Sequence, residues 1–108
     1  MQEDGVTIIS RTIRPLSAIE FYFKMARQLE LSDGQMYFLS DKAKSAYQER
    51  LHEVYDVLYD RVMRSRISTF LKQEVEQWYA FNRDFLGFGD TTEMNHELEG
   101  LLRRFELL

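Results

Sequence analysis

From Gln35 to Leu86 the chain runs for 52 residues without a glycine or a proline, and no other feature constrains its fold so strongly. Those two residues are the strongest breakers of regular structure, so the whole stretch is compatible with helix. As a single helix it would be about 75 Å long and would need a partner chain along its length. Folded back on itself, it would supply two antiparallel helices of a bundle. The sequence favours the second form, with the turn near Ser65.

The flanking residues also read as helical. Gly87-Phe88-Gly89 ends the long run, and Asp90 with Glu93 three residues later has capping-box spacing for a last helix over about 91–107. At the front, Pro15 suits the first position of a helix that continues to about Leu31, where Ser32-Asp33-Gly34 interrupts. Ser32 with Gln35 offers one start for the next helix, and Ser40 or Asp41 offers another. Val6–Ile13 is β-branched, so 1–14 reads as an extended arm or a short strand. Such a strand needs a partner for its backbone groups, for instance the same strand of a second copy. The expectation is an all-α protein, a small bundle of about four helices over 15–108 with an extended N-terminal arm, compatible with a dimer. A chain of 108 residues can bury enough surface for one core without disulfides or a structural metal.

Apolar spacing assigns the core faces. Met36, Ala43, Tyr47, Leu51, Val54, Leu58 and Val62 share one face at helical period. Ile67, Phe70, Leu71, Val75, Trp78, Phe81 and Phe85 make the next, and Met94, Leu98, Leu101, Leu102 and Phe105 the last. The first helix differs. Leu16, Ile19, Phe23 and Ala26 form one side, and Ala18, Phe21, Tyr22, Met25 and Leu29 extend it to an arc of roughly 220°, against the ~100° of a one-sided helix. A helix that apolar is either central in its bundle or shared with another molecule. Phe21, Tyr22, Met25 and Leu29 are therefore the candidate partner interface. The aromatic share of 14% points the same way, since so many rings on so small a body suggest an interface.

Composition removes several classes. There is no cysteine, which excludes disulfides and thiolate chemistry and fits a cytoplasmic setting. No apolar run approaches the ~18 residues of a membrane span, and the N-terminus lacks the pattern of a signal peptide. The formal charge of −4 argues against general nucleic-acid binding.

Glu49-Arg50-Leu51-His52 and Glu93-Met94-Asn95-His96 both match Glu-x-x-His, the pairing used by di-metal four-helix bundles, and Glu20 and Glu74 would complete such a set. Bundle ligands must project inward. With Leu51 at the centre of its face, His52 lies about 100° away and Glu49 about 160° away, and His96 is nearly opposite Leu101 and Phe105. The expectation is no metal and no cofactor. Glu74 and Asn82 fall inside the third aromatic face, where a carboxylate sits at the edge of the face, pairs with an arginine from a neighbouring helix, or serves as a catalytic acid or base. No Ser–His pair, glycine-rich phosphate loop or paired carboxylates complete a catalytic set, so a non-enzymatic role is expected.

Two charged groupings remain. Glu49, Glu53, Asp56 and Asp60 repeat at 4, 3 and 4, which makes one acidic stripe. Arg61, Arg64, Arg66 and Lys72 form a basic patch only if the chain turns near Ser65; on one continuous helix they spread around the circumference. Glu30-Leu31-Ser32-Asp33, followed by Leu58-Tyr59-Asp60-Arg61 and Phe70, resembles the small Hha-type modulators of bacterial nucleoid proteins. That likeness covers under half of the chain. It implies a regulatory role and carries over no functional residue. The leading expectation is a homodimeric protein–protein interaction module, working as a regulator, adaptor, chaperone or inhibitor on a partner protein. A nucleic-acid-associated regulator using the basic patch and a di-metal enzyme are the alternatives.

Overall fold

The computed structural model describes residues 17–31 and 35–108. The arm over 1–14, Pro15, Leu16 and the Ser32–Gly34 interruption lie outside the described residues. The described chain is all-helical, with four helices: α1 (Ala18–Gln28), α2 (Asp41–Arg64), α3 (Thr69–Asn82) and α4 (Thr92–Arg104). Single 3-10 turns occupy Gln35–Phe38 and Arg83–Phe85. No described helix is long and apolar enough to cross a membrane.

The long glycine-free run divides after Arg64. Ser65 leaves helical geometry at φ −76°, ψ 162°, and its hydroxyl donates to the Val62 carbonyl. Ser68 then starts α3 by accepting from the Leu71 amide at 3.2 Å. Two serines three residues apart thus satisfy groups at both new helix ends, which lets the helix break without a glycine or a proline. Ser40 caps α2 in the same way, 3.1 Å from the Ala43 amide. The long helix therefore starts at the second of the two candidate positions. Ser17 and Glu20 form a reciprocal capping box on α1. At α4, Asp90 caps one residue further out than its spacing suggests, accepting from the Thr92 amide at 3.0 Å and the Thr92 hydroxyl at 2.6 Å.

Consecutive helices run antiparallel. Tyr55 and Tyr59 of α2 meet Trp78 and Tyr79 of α3, and Gln48 reaches Gly87. Trp78 meets Met94 and Glu74 meets Arg104 between α3 and α4. Arg27 of α1 pairs with Glu99 of α4. The core is Ile19, Phe23 and Ala26 from α1, Leu51, Val54, Tyr55, Leu58 and Val62 from α2, Leu71, Val75 and Tyr79 from α3, Leu86, and Met94, Leu98 and Leu102 from α4.

Three of the four faces follow the apolar spacing, except that Met36 lies in the 3-10 turn ahead of α2 and takes no part in the core. The α3 face is rotated from its expected position. Phe70, Phe81 and Phe85 lie in solvent, and Tyr79 is buried instead. The reason is chemical. The Tyr79 ring stacks on Tyr59 at 4.5 Å while its hydroxyl donates to Asp56, so tyrosine gains both burial and a charged acceptor there.

A buried polar hub ties three helices together. Asn95 is fully buried on α4. It accepts from the Tyr55 phenol of α2 and donates to Glu30 at 2.8 Å and to the Ala26 carbonyl at 3.4 Å, both at the end of α1. Burial pushes the Tyr55 phenol far above its ordinary range, so it stays a donor.

Candidate interaction site

The α3–α4 connection builds an aromatic rim. Phe81 lies in the last turn of α3, Phe85 in the following 3-10 turn, and Phe88 between two glycines. Their exposures are 74%, 64% and 72%. Leu86, almost fully buried, pins this segment from beneath, and the Phe88 amide donates to the Phe85 carbonyl at 3.2 Å. Gly87 makes the turn at φ +88°, pressed so closely against Gln48 that an added Cβ would sit 2.2 Å from its Cγ. The Phe81 and Phe85 rings pack at 6.3 Å.

Beside these rings runs an open groove between α3 and α4. Its two recesses hold about 400 Å³ at the Phe88 end and about 750 Å³ towards Arg104, and they join at Phe81, Asn82 and Glu97. Trp78 and Met94 line it, with the indole N–H donating to the Met94 carbonyl at 3.1 Å. The Phe88 end carries Asp90, Glu93 and Glu97 and no cation. At the other end Glu74 and Arg104 neutralise each other at 3.1 Å.

Of the sequence-derived candidates, Glu74, Asn82, Glu93 and His96 line this groove and the others fall elsewhere. On α1 only Phe21 is half exposed, at 50%; Tyr22, Met25 and Leu29 pack partly buried against the chain's own core. The acidic stripe of Glu49, Glu53, Asp56 and Asp60 is exposed. Its lower half is engaged: Asp56 accepts from Tyr79, and Asp60 pairs with Arg64 at 3.0 Å. The basic residues bracket the α2–α3 break, with Arg61 and Arg66 exposed and Lys72 half-buried. Asp60 offsets part of that charge through Arg64. Glu74 finds an arginine on the neighbouring helix, and Asn82 donates to the Trp78 carbonyl at 2.8 Å. Of the Glu-x-x-His residues, Glu49, Glu93 and His96 are exposed, while His52 is half-buried with its Nδ1 buried and without a hydrogen-bond partner. Among the described residues no three His, Asp or Glu side chains gather at metal-binding spacing.

The rim was hidden in the sequence because Phe81 and Phe85 fit a helical core period. Phe88 between two glycines was the one visible signal, since a ring on a turn has no helix face to bury it. No family model matches the chain, nor does any curated protein or solved structure, and the Hha-type likeness gains no support from them.

Proposed function

We propose that this chain is a small helical protein-interaction module, acting as a regulator, adaptor, chaperone or inhibitor by holding a partner protein against the α3–α4 groove and its aromatic rim. One observation carries the reading: six of the eight phenylalanines are exposed, namely Phe21, Phe38, Phe70, Phe81, Phe85 and Phe88, and three of these six stand together at one end of the groove. A phenylalanine left in water forgoes about 1.5–3 kcal/mol of burial, and clustered rings of this kind mark surfaces that another molecule covers. The interface expected on α1 from its wide apolar arc moves to this site, because α1 spends most of that arc on its own core.

The test is affinity capture from cell extract with the wild-type chain and with the triple variant Phe81→Ser, Phe85→Ser, Phe88→Ser. The substituted side chains are exposed, so the variant keeps its melting temperature. Proteins captured by the wild type and by a Glu49→Gln, Glu53→Gln control are expected to be lost with the triple variant. Identical capture by all three proteins would refute the reading.

A further inference from the structure

We infer that the partner segment of this groove is a basic amphipathic helix, with apolar side chains on the aromatic rim and lysine or arginine side chains on the α4 edge. The inference rests on the interaction reading above and adds the chemistry of the occupant.

The charge of the site selects the partner. Glu93 and Glu97 are one helical turn apart on α4, both exposed, and neither takes part in the ion pairs among the described residues; Arg27, which shares the adjoining recess with Asp90 and Glu93, pairs with Glu30 and Glu99 instead. Like charges at that spacing repel and weaken a helix slightly. A cationic side chain laid along the edge removes the repulsion from both at once. Asp90 extends the acidic line towards Phe88, and no cation lines that recess.

The same carboxylates exclude other occupants. A second copy docked groove to groove with the two Phe88 ends together would set its own Asp90, Glu93 and Glu97 against theirs, and like-charge contact opposes that form of isologous dimer. Nucleic-acid phosphates and anionic lipid surfaces are repelled for the same reason. A small apolar ligand gains little in a trough open along its length, since such sites enclose most of the ligand. The described residues contain no strand, so no sheet edge invites an extended peptide. A trough between two antiparallel helices, with apolar anchors about one turn apart and charge along one edge, matches the helix-in-groove mode.

Selection from a display library of helix-forming peptides tests this, using the full chain as target. Binding of individual peptides is then read from Trp78, the sole tryptophan, which lines the groove. Recovered sequences are expected to carry apolar residues at i, i+4 spacing and a net positive charge. They should bind about tenfold more weakly to Phe85→Ala and weaken as salt rises. Glu93→Lys with Glu97→Lys should reverse the preference towards acidic peptides. Recovered sequences that need Phe81, Phe85 and Phe88 but bind the charge-reversed variant equally well overturn the basic partner and leave the interaction reading standing. Recovered sequences indifferent to all three phenylalanines overturn both. A wild-type chain that light scattering shows to be dimeric, and that the triple phenylalanine variant makes monomeric, assigns the groove to a second copy and overturns the proposal. Tighter binding of a synthetic peptide of residues 1–16 than of any selected sequence overturns it in favour of the chain's own arm.

Discussion

Replacing Asn95 by Ala tests whether the buried polar hub holds α4 onto α1 and α2. The substitution removes the acceptor of the Tyr55 phenol and the donor to Glu30 and the Ala26 carbonyl together. A buried donor left without a partner costs about 1–3 kcal/mol, and a lost hydrogen bond to a charged group about 1.5–3 kcal/mol. Two features bring the sum towards its lower end. The Thr91 hydroxyl stands beside the phenol and has no partner of its own, and Glu30 keeps Arg27 at 2.9 Å. The expected loss is about 3 kcal/mol, a large part of the roughly 5–15 kcal/mol that stabilises a domain. It corresponds to a drop of roughly 15 °C in melting temperature for a chain of this size. Tyr55→Phe alone should lose about 1 kcal/mol, leaving the Asn95 carbonyl oxygen as the orphan. In the double variant neither orphan remains, so it should be about 1–2 kcal/mol more stable than the sum of the single losses implies. Urea unfolding followed by Trp78 fluorescence measures all four proteins. A loss under about 1 kcal/mol for Asn95→Ala, or strict additivity in the cycle, would show that apolar packing alone sets the position of α4.

Other substitutions probe the remaining structural claims. Gly87→Ala must place a Cβ against Gln48 at positive φ, and should lower stability by about 2–3 kcal/mol in the same unfolding assay. Ser68→Ala removes the cap that restarts the helix after the break, with an expected loss of about 1 kcal/mol and frayed amides near Thr69 by hydrogen exchange. Phe81→Ala and Phe85→Ala should change stability by less than about 0.5 kcal/mol, and a larger loss would mean that these rings belong to the core. The hydrogen bond from Arg103, with the charges of Arg103 and Arg27, holds the Glu99 carboxyl below its ordinary range. The stability it contributes is present above the unfolded-state value and is lost as pH falls through the lower folded value. Glu99→Gln should therefore flatten the acid side of a stability-versus-pH curve.

Local chemistry along the chain was enough to locate helical segments and their candidate ends. The lack of breakers from Gln35 to Leu86, the serines at 32, 40 and 65 and the glycines at 87 and 89 act within a few residues, but they left two forms open for the long run and two starts for its first helix, and the structure chose the break after Arg64 and the start at Ser40. Periodicity likewise placed Leu51, Val54, Leu58 and Val62 inside, because α2 is long enough for one stripe to dominate. Tertiary structure decided what periodicity ranks equally. On α3 the stripe through Leu71, Val75 and Tyr79 and the stripe through Phe70, Phe81 and Phe85 are both apolar, and hydrophobicity alone favours the phenylalanines. The choice went to Tyr79 because Tyr59 and Asp56, distant in sequence, stand opposite it in the bundle and satisfy both its ring and its hydroxyl. Once that rotation is fixed, Phe81 and Phe85 are turned out beside Phe88 and three carboxylates. The candidate interaction site is thus a consequence of packing between helices, and no single stretch of the chain encodes it.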